Sequence, residues 1–191
     1  MVSIKKGNTR EKILDSMYKN VYIQGYERTG VALLLTECGI AKGALYHHFK
    51  SKKEIMLCTL KERLSPAMNL LFDDSQKVDY NIILETLEEI SNSKELILNN
   101  CPYNKFNMEL YMLDDDFKEE LDRIFKVLTE RLQRHLDAGV ENKMIKEIDT
   151  ASLAEFIYAN IWGALSLSRT KKAFDSKIQH LLNYLETINL K

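Results

Sequence analysis

Residues 31–52 read VALLLTECGIAKGALYHHFKSK, and this stretch predicts the fold of the N-terminal part of the chain. It divides into a short apolar helix, a turn at residues 38–40 and a second short helix that ends near Phe49. Gly39 can adopt the positive φ that lets one helix stop and another begin at a steep angle. The spacing predicts a helix-turn-helix unit, whose second helix can enter a DNA major groove.

Hydrogen-bond donors suited to phosphates and base edges follow the turn. Helix-turn-helix geometry also recurs outside DNA-binding proteins, so a helical hairpin with a solvated basic end is the alternative at this point. The donors are Lys42, Tyr46, His47 and His48 on the second helix and Lys50, Lys52 and Lys53 after it.

The charge of the chain is distributed unevenly between its two parts. Residues 1–57 hold ten basic and five acidic side chains, which is +5, and the whole chain is −1, so the remainder is −6. The basic N-terminal part is attracted to a polyanion, whereas the acidic remainder is repelled by it. This difference orients the protein as it approaches the polyanion. The asymmetry therefore favours DNA as the partner of the N-terminal part.

The composition indicates an all-α protein with a sizeable core. Hydrophobic residues make up 45% of the chain, and seven glycines and two prolines are few for 191 residues. The three cysteines have no metal-binding or disulfide spacing, and we expect neither a cofactor nor a metal. No apolar run is long enough to span a bilayer, so we expect no membrane contact and a cytoplasmic location.

We predict about nine helices, in a three-helix head (domain 1–56) and a helical-bundle body (domain 57–191). Thr29 is the expected cap of the second helix, and Ser51 with Glu54 forms the expected capping box of the fourth. Pro66 should kink or divide that fourth helix. Gly139 should end the helix that begins after the aspartates at 114–116. Residues 1–8 form a basic tail that can touch the DNA backbone.

The last two predicted helices, from about 149 to 169 and from about 172 to 188, are apolar on more than one side. Helices of this kind must pack on two sides. They can serve their own core and also a partner subunit, which would give a homodimer through an intersubunit four-helix bundle. A wholly internal core is the alternative. A symmetric operator requires two recognition helices, and this favours the dimer.

The stretch TREKILDSMYKNVYIQGYERTGVALLLTECGIAKGALYHHFKSKKEI resembles the N-terminal domain of the tetracycline-repressor (TetR) family of transcriptional regulators. The match covers about residues 9–56. Gly30 and Ala41 depart from it, because Ser or Thr is usual there. The residues that carry the likeness are Gly25, Tyr26, Thr29, Gly39, Ile40, Lys42, Gly43, Leu45, Tyr46, His48, Phe49 and Lys52.

The resemblance implies a homodimeric regulator, usually a repressor, that leaves a palindromic double-stranded DNA operator when a small hydrophobic effector binds the body. Phe49 is then structural. A ligand-independent or protein-regulated DNA-binding adaptor is the alternative function. By position, the residues implied at the DNA are Lys42, Gly43, Ala44, Tyr46 and His47 on the recognition helix, with Thr29 and Lys52 at phosphates.

Aromatic and methionine side chains of the body are the candidate effector contacts, since such walls suit an irregular apolar ligand. Each of them can equally belong to a plain core. The chain carries no arrangement typical of catalysis or metal binding, so we do not expect an enzyme. The candidates are Phe72, Tyr103, Phe106, Met108, Tyr111, Met112, Phe125, Tyr158 and Trp162.

Overall fold

A computed structural model describes residues 9–75 and 77–190, which form helices and no strand. The predicted basic tail at 1–8 lies outside the described residues. The first helices are α1 (Thr9–Gln24), α2 (Val31–Cys38), α3 (Lys42–His48), α4 (Lys52–Thr59), a π-helical segment (Leu60–Leu64) and α5 (Ser65–Met68). The remaining helices are α6 (Asn81–Asn92), α7 (Lys94–Asn99), α8 (Pro102–Leu110), α9 (Asp115–Glu141), α10 (Thr150–Ser166) and α11 (Lys171–Ile188).

The all-α prediction is confirmed, and the described helices number nine when two divided ones are each counted once. One is α4 to α5, which the π-helical segment joins without a break. The other is the pair α6 and α7. Ser93 separates them with an extended ψ of 99°, and its hydroxyl accepts a hydrogen bond from Leu96 N (3.3 Å) to cap α7.

The chain forms two compact units. The first contains residues 9–68 and 105–122, and the second contains the described residues of 69–104 and 123–190. The first unit is therefore larger than the predicted DNA-binding domain, because a second stretch of chain is part of it. The division into functional domains at residue 56 stays a prediction.

In the first unit, α1 packs against α2, α3 and α4. The apolar side chains that meet there are fully buried, and their burial stabilises the three-helix head. Ion pairs add to the α1 contact: Arg63 Nε lies 2.6 Å from Asp15 Oδ1, and its Nη2 lies 2.6 Å from Glu11 Oε2. The buried core residues are Ile13, Leu14, Met17, Leu34, Leu45, Phe49, Ile55, Met56 and Leu60.

Pro66 explains the π-helical segment. In a regular helix the N–H of residue 66 would donate to the carbonyl of Glu62, and proline has no N–H. The ladder widens just before it, so that Ser65 N donates to Leu60 O, five residues back. Arg63 Nη1 donates to the Glu62 carbonyl instead (3.0 Å). The predicted division of the fourth helix thus takes the form of a register change.

The second unit contradicts the prediction that Gly139 ends a helix. Helix α9 continues to Glu141, and Lys143, with a φ of 55°, follows it in the left-handed region. A Cβ at Gly139 would lie 3.1 Å from the ring of Tyr80, which is tighter than ordinary van der Waals contact. The glycine therefore allows a close side-chain approach and does not stop the helix.

Candidate functional site

The turn between α2 and α3 has the predicted geometry. Gly39 lies in the left-handed region (φ 64°, ψ 39°) and its N–H donates to Thr36 O, while Ile40 N donates to Leu35 O. These two bonds satisfy carbonyls at the end of α2 and close the helix. The backbone then enters α3 two residues later. A local glycine conformation thus sets the angle at which the second helix is presented.

Polar contacts fix the helix-turn-helix to α1. Ser16 Oγ and Asn20 Nδ2 each donate to Glu37 Oε2 at 2.7 Å. The hydrogen bond from Ser16, followed by that from Asn20, lowers the pKa of the Glu37 carboxyl below its usual value. The buried Leu34 and Leu45 complete this attachment. Both helices of the unit are therefore held by α1, and α3 cannot turn on its axis without breaking core contacts.

One side of α3 is buried and the other is free for a partner. Leu45 and Phe49 face the core, whereas Tyr46 is 46% exposed. Lys42 Nζ lies 5.8 Å from the Tyr46 ring centroid, so the cation and the ring occupy neighbouring positions on the same face. A Cβ built at Gly43 would meet no atom within 4 Å. The exposed residues are Lys42, Gly43, Ala44, Tyr46 and His47.

The start of α4 follows directly and also lies in the first unit. Ser51 Oγ accepts from Glu54 N (3.1 Å), which confirms the predicted cap. Glu54 Oε2 reaches back to Lys50 N (2.5 Å), one residue earlier than in the usual capping box. The Lys52 ammonium lies 4.0 Å from the Tyr26 ring centroid. A cation–π contact thus holds Lys52, the first residue of α4, against Tyr26.

Thr29 differs from both of its expected roles. Its exposed fraction is 0%, and its hydroxyl donates to the carbonyl of Gly25 (2.7 Å). The residue that precedes α2 as its cap is Gly30, which offers no side chain. Since a buried and paired hydroxyl is not available to a phosphate, Thr29 stabilises the turn between α1 and α2.

Comparison with known proteins bears on this geometry. The sequence profile described as "Bacterial regulatory proteins, tetR family" matches residues 20–57, which contain the whole helix-turn-helix and the start of α4. Residues 20–57 are therefore a TetR-type DNA-binding domain. The match confirms the family resemblance and the prediction of a DNA-binding transcriptional regulator, and the relatives are regulators and not enzymes.

Three relatives extend the likeness along the rest of the chain. An HTH-type transcriptional regulator from the lacX 3′ region of Lactococcus lactis is 28% identical over 94% of this chain and 89% of its own length. The nucleoid occlusion factor SlmA of Shewanella woodyi is 24% identical over 94% of this chain and 89% of its own. The crystal structure of reduced Escherichia coli NemR has a TM-score of 0.80 at 23% identity, covering 92% of this chain and 96% of its own, which shows the shared fold.

The second unit contains a group of five aromatic rings, Phe72, Tyr103, Phe125, Tyr158 and Trp162, called here the aromatic cluster. The Trp162 ring centroid lies 4.8 Å from that of Tyr103, 5.2 Å from Tyr158 and 5.4 Å from Phe125. Phe72 meets Tyr158 edge to face at 5.7 Å. Phe125 and Trp162 are only half-buried, so one side of the cluster is open.

His135 positions Phe72 in this cluster. The buried imidazole accepts a hydrogen bond from Asp79 N at Nδ1 (3.0 Å), so its proton is on Nε2, which lies 3.1 Å from Phe72 O. Phe72 has a φ of 49°, an uncommon conformation for a non-glycine residue. The histidine thus holds the backbone turn that directs the Phe72 ring inward.

The other four predicted effector contacts lie elsewhere. Phe106 stacks on Tyr18 in the first unit, with ring centroids 5.4 Å apart. Tyr111 is half-buried beside the Lys118 ammonium, 5.5 Å from its ring centroid. Met108 and Met112 are exposed on the surface. Helical spacing predicts that these four residues pack against something, but it does not show which side chains cover them. They are therefore not included in the effector site proposed below.

Two polar residues beside the cluster were not predicted. Asn104 Nδ2 donates to Ser166 Oγ (2.7 Å), and Asn100 Nδ2 donates to the same oxygen (3.1 Å). Ser166 lies one helical turn after Trp162, and Asn104 follows Tyr103, so both belong to the edge of the aromatic cluster. Asn100 and Ser166 are the two residues that the sequence did not predict. The sequence feature that could have identified Ser166 is its position four residues after Trp162, which places both side chains on the same face of a helix.

The Tyr158 hydroxyl is buried and finds no hydrogen-bond partner among the described residues. Burial raises the pKa of this phenol well above its usual value. Tyr80, also buried, donates its hydroxyl to Asn189 Oδ1 (3.1 Å). The two buried tyrosines can therefore be compared directly: among the described residues the Tyr158 hydroxyl has no hydrogen-bond partner, and the Tyr80 hydroxyl has one.

We expect Tyr158→Phe to raise the free energy of unfolding by about 1 kcal/mol, because it removes an unsatisfied buried polar group. Tyr80→Phe should lower it by about 1 kcal/mol, because it removes a made bond. Urea denaturation followed by circular dichroism measures both. Equal destabilisation of the two variants would show that the Tyr158 hydroxyl does have a partner.

Within the described residues, no helix is long and apolar enough to cross a membrane. The same residues contain no group of three His, Cys, Asp or Glu side chains placed to hold a metal ion.

Proposed function

We propose that this protein is an effector-controlled repressor that binds a palindromic operator as a homodimer and acts in the cytoplasm. The observation that carries the proposal is the exposed face of α3, which α1 and the head core hold rigid. The body supplies a dimer surface and an effector site, as described below. NemR, a relative, is a transcriptional repressor, and this supports repression over activation.

The exposed face of α3 supports a division of labour at the DNA. Gly43 and Ala44 add little bulk, so the backbone of α3 can come close to a groove wall. Lys42, in the first turn, is then placed to donate to guanine O6 and N7. Tyr46, His47 and Lys52 are placed for phosphates, which orient the head without reading sequence.

Lys42→Ala should change which operator sequence is preferred. Loss of a base-reading lysine costs about 1–3 kcal/mol on the preferred site and relaxes selection at one position. Gel-shift titration with a library of operator variants measures this. Lys172→Ala, which removes an exposed lysine of α11, is the control and should leave the preference unchanged. If Lys42→Ala prefers the same operator sequence as the wild type, Lys42 does not read a base.

An apolar stripe on α10 supports the homodimer. Phe156 and Gly163 lie at helical spacing on one face of α10, Leu167 directly follows the last residue of the helix, and Phe156 and Leu167 are exposed. A Cβ built at Gly163 would meet no atom within 4 Å, which leaves room for a second helix to approach closely. The Tyr184 ring of α11 lies 5.5 Å from that of Phe156. A second copy that covers this surface would complete a four-helix bundle.

The aromatic cluster is the proposed effector site. Its open side is formed by Trp162 and Phe125, and the Tyr158 hydroxyl and the Asn104 amide are polar groups beside the rings. Mostly apolar walls with a few polar groups are typical of small-molecule sites. In the described structure the rings contact one another, so a hydrophobic effector has to separate them. Such separation would change the packing of α8, α9 and α10, which carry four of the five rings.

The operator hypothesis is tested with DNA from upstream of the protein's own gene. A gel shift should give a complex that weakens as salt rises and that prefers a palindromic sequence. A thermal-shift screen of hydrophobic compounds should then find an effector that releases this complex. Binding without sequence preference would refute the operator. A complex that no stabilising compound releases would refute effector control.

A DNA-binding adaptor without a small-molecule effector is the second candidate function. Tyr103 and Trp162 are in stacking contact at 4.8 Å, which leaves no ligand-sized gap between them. SlmA, a relative at 24% identity, is a nucleoid occlusion factor. Trp162 is the single tryptophan of the chain, so its fluorescence reports on the cluster directly. Unchanged Trp162 emission across the compound screen would favour the adaptor.

A further inference from the structure

Lys53 occupies a position where a positive charge is unfavourable. It lies in the first turn of α4, and the helix dipole there favours negative groups. Its ammonium is 2.7 Å from Asp114 Oδ2 and 2.7 Å from Asp116 Oδ2. The hydrogen bonds that Lys53 donates to Asp114 and then to Asp116 raise its pKa to about 12. These two carboxylates explain how a lysine is accommodated at this end of the helix.

The two carboxylates are held in place by the start of α9. Asp114 Oδ1 accepts from Asp116 N (2.9 Å), which fixes both residues at the end of the helix where negative charge is stabilised. Phe117, one residue later, meets the Tyr26 ring edge to face at 5.5 Å. Tyr26 in turn lies under the Lys52 ammonium. Both lysines that begin α4 therefore have a partner within the first unit.

Lys53 is close to the proposed DNA contacts but remains free to leave its partners. It is next to Lys52, two residues after the turn that ends α3, and its side chain is 40% exposed. Asp116 is 59% exposed, so water and salt reach the ion pair. Pairs of this kind are weak, and a DNA phosphate offers the same ammonium an equivalent anionic partner.

We infer that Asp114 and Asp116 set the DNA affinity of this regulator by competing with a phosphate for Lys53. The inference rests on the proposed binding of DNA at α3 and the start of α4. In the free protein the two carboxylates occupy the lysine. When the head binds DNA, Lys53 exchanges them for a phosphate, and the cost of breaking the ion pairs lowers the affinity.

The test compares two double variants of the full chain. Asp114→Asn/Asp116→Asn releases Lys53, while Asp115→Asn/Glu119→Gln removes two exposed charges from the same end of α9 outside the Lys53 ion pairs. The probe is a mixed-sequence DNA duplex long enough for both half-sites, because phosphate contacts do not depend on sequence. Fluorescence anisotropy measures Kd over a series of salt concentrations.

The first variant should bind the duplex about two- to five-fold more tightly than the second. Its plot of log K against log salt should also be steeper by about one unit, since one more phosphate is neutralised. In a Lys53→Met background the two double variants should bind equally. Melting curves of all variants check that the fold is retained.

Two results would overturn the inference: equal affinities of the two double variants, or a difference that persists in the Lys53→Met background. Both leave DNA binding itself intact. The proposed function fails separately, if the unsubstituted protein does not bind the duplex. The wild-type titration therefore distinguishes the two failures.

Discussion

Replacing Phe156 by glutamate should convert the protein to a monomer and weaken operator binding by about 100-fold. Phe156 is 46% exposed on α10, and a two-fold interface contains every substituted residue twice. Each copy loses the burial of an aromatic ring, about 1.5–3 kcal/mol, and places an unpaired carboxylate in an apolar surface. A monomer holds one recognition helix and therefore one half-site.

Leu98→Glu is the matched control for Phe156→Glu. Leu98 is 60% exposed on α7, outside the proposed interface. The substitution therefore introduces the same charge at another exposed apolar position. It should leave the mass in light scattering and the operator affinity unchanged. The circular-dichroism spectrum of Phe156→Glu should keep the helical signal of the wild type, since much of the ring contacts solvent in the subunit, while its melting temperature falls with the loss of the partner subunit. A Phe156→Glu dimer with full affinity would exclude this surface as the interface.

Replacing Phe49 by alanine should lower the stability of the first unit by about 3–5 kcal/mol. Phe49 is 1% exposed, ends α3 and lies under the Arg10 guanidinium, which is 5.4 Å from its ring centroid. Alanine leaves a cavity at the base of the recognition helix. Because whole domains are stable by about 5–15 kcal/mol, a loss of this size should expose the head to unfolding and abolish DNA binding.

Two spectroscopic signals show in which unit Phe49→Ala lowers the stability. Trp162, the single tryptophan, lies in the second unit, whereas circular dichroism reports on the helices of both. In Phe49→Ala, urea should produce an early circular-dichroism transition that tryptophan emission does not show. Tyr46→Ala, on the exposed face of the same helix, should leave the first transition within about 0.5 kcal/mol of the wild type. Coincident, unshifted transitions in Phe49→Ala would contradict a core role.

Local patterns in the sequence were sufficient for most of the head. Gly39 adopts the left-handed conformation that its place between two helices predicts, and Ser51 caps α4 as the spacing to Glu54 indicates. The number of helices and the exposed face of α3 follow from apolar periodicity. These features depend on residues within a few positions of one another, so a short stretch of chain contains the information.

Two residues differ from their predicted roles for different reasons. Gly139 was expected to end a helix, but the Tyr80 ring, distant in sequence, takes the space of its missing side chain. Thr29 was expected to cap α2, but its buried hydroxyl donates to Gly25 O, four residues earlier. The Gly139 contact depends on the tertiary fold, whereas at Thr29 two local roles competed and the residue type did not decide between them.

The sequence by itself determined an all-helical fold with a TetR-type helix-turn-helix at residues 31–49, because the spacing of glycines, caps and apolar residues is a local property. Only the tertiary structure decided which aromatic residues form one cluster and which carboxylates hold Lys53. Periodicity shows which face of a helix must be covered. The identity of what covers it depends on chain segments that are distant in sequence, as Asp114 and Asp116 are from Lys53.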